Sequence, residues 1–123
     1  MENLPLKGIK VIDAASFIAA PLVSALMSDY GAEVIKIEPL TGDTYREAVI
    51  GGHVWPESEI DWAFILENRN KRSLSIDLKS KEGQLILKKL LKDTDVFVTN
   101  LPKTPREKLR LTNSIIRKIN PRI

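Results

Sequence analysis

GIKVIDAASFIAAPLVSALMSDYGAEVIKIEP, residues 8–39, changes its hydrophobic period twice within 32 residues. Ile9, Val11 and Ile12 form a short apolar run within residues 8–14, the pattern of a strand buried on both faces. From Ala19 to Tyr30 the period becomes helical: Leu22, Leu26 and Tyr30 share a stripe, with Val23 and Met27 beside it. Pro21 is tolerated in a first helical turn, where its missing N–H has no partner to lose. Gly31 stands where a helix ends in a left-handed residue. Residues 33–38 read as a strand again, and Pro39 stops it. Connections this short around a helix make the two strands a parallel pair.

The remaining residues repeat the theme. RSLSIDLK supplies a third strand over 73–78, with Leu74, Ile76 and Leu78 alternating with polar residues. Ser80 caps a helix, KEGQLILKKLLKDT, that is expected to turn Leu85, Leu87, Leu90 and Leu91 inward. A fourth strand covers 95–99. Pro105 opens one further helix and Thr112 caps another, which Pro121 halts. Residues 40–66 are irregular, with turn signals at Gly42-Asp43 and Gly51-Gly52 and a short helix around Ile60–Leu66 carrying Trp62 and Phe64. Strands alternating with helices define an α/β domain with a mainly parallel sheet. A doubly wound sheet would add another strand after Pro121, so the chain reads as the N-terminal part of something longer.

Bulk properties narrow the class. The 123 residues suffice for one compact domain, and 43% hydrophobic with 28% charged residues is ordinary for a globular protein. No apolar run nears the roughly 20 residues of a membrane span. The N-terminus lacks the basic and apolar regions of a signal peptide, which makes the cytoplasm the expected location. There is no cysteine, hence no disulfide framework and no thiolate metal site or nucleophile. Charge is lopsided: residues 1–67 hold 4 Lys+Arg against 11 Asp+Glu, residues 68–123 hold 15 against 5. The basic half is either a solvated face or a surface that meets an anion.

Two clusters focus that question. Asn68-Arg69-Asn70-Lys71-Arg72 precedes the third strand, and residues 100–108, NLPKTPREK, follow the fourth. Parallel strands place them at opposite ends of the sheet. The second lies at the C-terminal strand ends, where α/β sheets bind ligands, and a helix N-terminus there favours phosphate. Asp13 also ends a strand, and capping of the following turn is its first reading. Asp77 reads as a surface carboxylate paired with nearby lysines. His53, without a second histidine, gives no metal site. Neither the glycine-rich dinucleotide fingerprint nor a phosphate-binding P-loop is present, although Ala19 and Ala20 allow close backbone approach at a helix N-terminus. Nucleic-acid binding is disfavoured, because aromatics are not interleaved with the cations.

The ordered blocks LPLKGIKVIDAASFIAAP, YGAEVIKIEPLTGDTYR, NRNKRSLSIDLKSKEGQLILKKLLKDTDVFVTN and INPRI resemble the class III CoA-transferases, including the formyl-CoA:oxalate, carnitine and bile-acid enzymes and the related α-methylacyl-CoA racemases. The likeness runs from Leu6 to Ile123. It implies a Rossmann-like domain, of which residues 1–123 are the CoA-binding N-terminal portion, in an enzyme that forms interlocked homodimers. The substrates it implies are an acyl-CoA and a small carboxylic acid; from the residues themselves no metal and no membrane partner is expected, and nucleic acid is disfavoured. CoA contacts map onto Ile76, Lys79, Asn100, Leu101 and Lys108. The family's acyl-carrying aspartate follows a block that matches Asn120-Pro121-Arg122 here, so it is expected beyond Ile123, no catalytic residue falls on this chain, and residues 1–123 alone are expected to be inactive. Transferase, racemase segment and non-catalytic remnant stay open at this level. Ile18, where the formyl-CoA enzyme has glutamine, argues against that substrate. Pro39 stands where a basic residue is frequent, and Lys108 replaces an arginine, keeping charge but losing the planar fork. Leu109, Ile115, Ile116 and Ile119 are expected to be left exposed near the end of the sheet.

Overall fold

The computed structural model describes residues 3–47 and 61–123. Four parallel strands, β1 (Lys10–Asp13), β2 (Glu33–Glu38), β3 (Arg72–Ser75) and β4 (Val96–Val98), form one sheet in the order β3-β2-β1-β4. From β1 the chain winds outward through β2 to β3, then crosses back to place β4 on the other side of β1. The switch point of this doubly wound sheet therefore lies between β1 and β4. The helices are α1 (Ala19–Asp29), α2 (Trp62–Asn68), α3 (Lys81–Leu91), α4 (Lys103–Lys108) and α5 (Asn113–Ile119), with a 3-10 turn at Thr44–Glu47. His53 and the Gly51-Gly52 turn lie outside the described residues.

Alternation along the strands divides the core. Val11 and Val34 bury one face together with Ala32, against Met27 of α1. Ile12 and Ile37 bury the other with Ile76, Leu87, Leu91, Leu111 and Ile116, under α3 and α5. The ladder sets the stagger: Val11 pairs with Val34 and Val96, and β3 begins only halfway along β2, with Arg72 opposite Ile35. β3 is also shorter than its alternation implies. Its partner β2 runs out at Pro39, and after one last bond from Ile76 N to Glu38 O the chain turns. Asp77 makes that turn by accepting the Lys79 N–H on Oδ1 at 2.9 Å, so it serves backbone rather than lysine side chains.

Two expectations about packing are overturned, and the apolar stripe of α1 does not mark its buried face. The Leu22/Leu26/Tyr30 stripe does not face inward. α1 buries Pro21, Ser24 and Ala25, small residues that let it approach the sheet, while Val23, Leu26 and Tyr30 are exposed. Leu85 is 61% exposed, because α3 is seated by Gly83, Leu87 and Leu91, and a residue two positions from Leu87 points to the opposite side. Gly83 decides that seating: a Cβ there would stand 2.0 Å from the Asp77 carbonyl oxygen. Finally, Ile116 is buried and Leu109, Ile115 and Ile119 are half-buried, since α5 packs beside α3 and Leu109 and Ile119 pack against the same core.

Local signals explain the helix ends. Ser80 Oγ accepts the Gly83 N–H at 2.9 Å, the expected cap of α3. Gly31, at φ +100°, follows α1 in the left-handed region. α4 starts two residues before Pro105, which occupies its first turn. Thr112 holds the cap position of α5, but its hydroxyl meets Ser114 Oγ instead of a backbone N–H.

Candidate functional site

A cleft of about 490 Å³ opens at the C-terminal ends of the strands, beside the switch point. One wall is the β1 exit, Ala14 to Ser16. Another is the β2 exit, and the third is the Ile76–Lys79 turn, with Leu101, Leu109 and Leu111 closing the side towards β4. The lining is mostly apolar, with Lys79 contributing a cation from an exposed position.

The β1 exit is pinned at every backbone polar group. Ala14 N–H donates to Val98 O and Ala14 O accepts from Thr99 Oγ1. Ala15 N–H donates to Asp13 Oδ1 at 2.9 Å, and Ala15 O accepts from Lys36 Nζ at 2.9 Å. Ser16 N–H donates to Asn100 Oδ1 at 3.0 Å, while Asn100 Nδ2 donates to Ser16 O at 2.8 Å. A wall so anchored is held in place before any ligand arrives.

Beneath it lie two buried ion pairs. Asp13, fully buried, accepts the Lys71 ammonium at 2.7 Å and the Ser24 hydroxyl at 2.6 Å on Oδ2. Lys71 Nζ also donates to Pro21 O, Glu67 O and Asn68 Oδ1. Burial lowers the Lys71 pKa, against the opposing pull of the Asp13 carboxylate. The second pair is Lys36 with Asp43, 2.8 Å apart and each 2% exposed. Burial pushes the Asp43 carboxyl up, but the Lys36, Ser16 and Tyr45 hydrogen bonds together carry it below its ordinary value. Nearer the rim, Arg46 grips Glu38 with Nε and Nη2 at 2.8 and 2.9 Å and lies over the Phe64 ring, 3.7 Å from its centroid. That guanidinium, helped by Asp43 N–H and Ser73 Oγ, holds Glu38 at about 2 despite burial.

The structure places the expected contact residues unequally. Ile76, Lys79 and Leu101 line the cleft. Asn100 is not among the lining residues, but it clamps Ser16, which is. Lys108, exposed in the last turn of α4, is not among the lining residues. The cationic loop 68–72 departs furthest from an anion-holding role. Lys71 is turned inward to Asp13, and Arg69 and Asn70 both bind Asp29. Because β3 starts late, Lys71 and Asn100 converge on the same β1 exit from two loops that strand polarity alone would separate. The residues missed by sequence reasoning are Ser16, Lys36 and Asp43. The lone signal was Lys36 set between Ile35 and Ile37 in the middle of β2, since a buried lysine requires a partner. Among the described residues there is no cluster able to hold a metal ion, and no helix is long and apolar enough to cross a membrane.

An open parallel sheet wound both ways from β1, with its cleft at the switch point, belongs to the doubly wound α/β proteins that bind ligands at their carboxyl strand ends. Within that class, residues 6–123 match the model of CoA-transferase family III, and the chain belongs to that family. It is 49% identical over 106 residues to the (R)-2-hydroxy-4-methylpentanoate CoA-transferase of Clostridioides difficile, covering 85% of this chain and 26% of that protein. It is 40% identical over 122 residues to the succinyl-CoA–L-malate CoA-transferase beta subunit of Chloroflexus aurantiacus, covering 98% of this chain and 29% of that one. The crystal structure of a CAIB/BAIF family protein from Brucella suis superposes with a TM-score of 0.83 at 32% identity, covering 97% of this chain and 32% of its own. The chain thus spans about a quarter to a third of the length of these relatives.

Proposed function

We propose that the cleft binds the CoA moiety of an acyl-CoA, and that residues 1–123 form the CoA-binding N-terminal portion of an enzyme moving CoA between an acyl-CoA and a small carboxylic acid. The observation that carries this reading is the cleft itself: an apolar bed at the switch point, flanked by the exposed cation of Lys79, which has no ion pair among the described residues. The bed suits an adenine ring or the pantetheine arm, and a lysine on the rim suits phosphate. In this reading Ile76 and Leu101 supply apolar contact, Lys79 takes a phosphate directly, and Lys108 approaches one from outside the cleft. The CoA transfers named for the relatives support a transferase over a racemase.

Transfer requires a nucleophile. In the complete enzyme a carboxylate attacks the thioester carbonyl, a C–O bond forms, and the C–S bond breaks to release CoA thiolate. The thiolate then attacks the aspartyl carbonyl of the anhydride, releasing the donor acid as its carboxylate and leaving an aspartyl–CoA thioester. The acceptor carboxylate attacks that thioester and expels the thiolate, which finally attacks the acceptor's acyl carbonyl, giving the acceptor acyl-CoA and freeing the aspartate. The carboxylates that line the cleft are engaged, Glu38 by Arg46, Asp43 by Lys36 and Asp77 by its turn, so in this reading the nucleophile comes from outside the described residues. On this reading residues 1–123 bind acyl-CoA without transferring its acyl group. Calorimetric titration with CoA tests this directly. The Lys79→Ala/Lys108→Ala double variant should lose about 1–3 kcal/mol of affinity. An unchanged affinity, or measurable acyl-CoA turnover by the 123-residue chain, would overturn the assignment.

A further inference from the structure

We propose that Asn100 is a positioning residue, whose side-chain amide holds the Ser16–Phe17 step in the conformation that shapes the cleft wall; the inference rests on the reading that this cleft takes CoA. The β1–β4 ladder ends at Asp13 opposite Val98, with one more bond from Ala14 N–H to Val98 O. Beyond that point side chains continue the pairing. Thr99 Oγ1 donates to Ala14 O at 3.1 Å, and Asn100 both accepts from and donates to Ser16 backbone, at 3.0 and 2.8 Å. A reciprocal N–H and C=O exchange with one residue is what a facing strand residue makes in an antiparallel ladder. Here an amide side chain reproduces it where the strands have already parted.

The next residue shows why such a clamp is needed. Phe17 has φ +65°, in the left-handed region that a bulky side chain enters only at a cost. Backbone strain of this kind persists when its surroundings over-determine it. Phe17 is half exposed, so burial does not hold it, and its ring meets Tyr45 at a centroid distance of 5.8 Å. The restraint acts instead on Ser16, through the Asn100 clamp and through Ser16 Oγ, which donates to Asp43 Oδ1 at 2.6 Å. Asp43 is in turn fixed by Lys36. Because Ser16 itself lines the cleft, releasing Phe17 from the left-handed region would move the wall and redirect the chain entering α1.

Two readouts test this. Amide hydrogen exchange at Ser16, referenced to Ala14 in the same molecule, reports the clamp without any ligand. CoA affinity is measured for the 123-residue chain and for Asn100→Ala, Asn100→Asp, Phe17→Asn and the Asn100→Ala/Phe17→Asn double variant. Asn100→Asp keeps an acceptor for Ser16 N–H but sets an oxygen against Ser16 O, so it should behave like Asn100→Ala. Both should speed Ser16 exchange, and both should weaken CoA about five- to tenfold. Asparagine enters the left-handed region readily and keeps a Cβ, so with Phe17→Asn in place the loss from Asn100→Ala should shrink to about twofold or less. An undiminished loss in that background would make Asn100 a direct ligand contact and overturn the proposal, as would unchanged Ser16 exchange in Asn100→Ala. Absence of CoA binding by the unsubstituted chain would instead count against the cleft's assignment, leaving Ser16 exchange to decide the role of Asn100.

Discussion

Residues 68–72 and 100–108 look alike as sequence, each bringing asparagine and cations next to a strand, the first before β3 and the second after β4, yet the fold uses them in opposite ways. In the first, Lys71 is surrounded by four oxygens and its side chain is 2% exposed. Arg69 and Asn70 fasten the same loop to Asp29, with Asn70 at φ +60°. In the second, Lys103 and Lys108 stay in solvent and Asn100 alone ties the segment to the β1 exit. The difference lies in where the acids are. The acidic first half supplies Asp13 and Asp29 as partners for the start of the basic half. Charge asymmetry along a chain can thus be an internal contact rather than a sign of an external anion.

The strongest way to break this contrast is to neutralise one cation from each stretch. Lys71→Met leaves the Asp13 carboxylate buried without its ammonium, and should destabilise by about 3–5 kcal/mol in urea unfolding. Lys108→Met should change stability by no more than about 0.5 kcal/mol. Similar losses at both sites would mean that the two stretches are equivalent after all.

Acid offers a graded test, because Glu38 stands between these extremes: a buried carboxylate holding an arginine that is 44% exposed. Its folded value of about 2 lies below the ordinary 4.5. A depressed carboxylate contributes stability that is present above about pH 4.5 and is lost as pH falls towards 2. Asp43 and Asp29, also lowered, act in the same sense. Thermal melts from pH 6 downward, a range set by roughly ordinary carboxylate titration, should therefore show a steep acid limb that Glu38→Gln flattens. A limb unchanged by that substitution would place the acid sensitivity elsewhere.

Gly83 sharpens the comparison from the other side, since Lys79 is presented by a turn and not by an ion pair. A methyl group at position 83 collides with the Asp77 carbonyl, which is backbone and cannot swing away. Gly83→Ala should cost about 1–3 kcal/mol through overpacking. It should also weaken CoA binding by shifting Lys79, while leaving the Lys71 environment intact. Retention of full stability would show that α3 reseats freely and that the turn is not fixed by this contact.

What the sequence revealed follows from range. Short-range chemistry was legible: the period switches that order the strands and α1, the Ser80 cap, the Gly31 exit, the Pro39 stop and the turn-capping role of Asp13. Resemblance supplied Ile76, Lys79 and Leu101, which the fold brings to one cleft. The inward face of α1 was not legible, because the helix buries Ser24 for the sake of Asp13, eleven residues away. Nor was the destination of Lys71, whose partner lies 58 residues back and comes within reach only through the late start of β3. Leu85 misled for a simpler reason: a leucine-rich helix with one glycine-seated face has more apolar residues than places to bury them.

The smallest expected effect belongs to Lys103. Its ammonium stands 4.0 Å from Glu107, four residues on in α4, and both side chains are largely in water. High dielectric and the entropy of two long side chains leave little net attraction in such a pair, about 0.3–0.5 kcal/mol on a helix. The order of charges is also the weaker one, since a lysine near the N-terminus and a glutamate near the C-terminus oppose the helix dipole. Lys103→Ala should therefore leave unfolding within about 0.5 kcal/mol, and salt should erase what difference there is. A larger loss that survives in salt would mean that residues 100–108 hold their place by electrostatics, as residues 68–72 do, and the contrast between the two stretches would be one of degree.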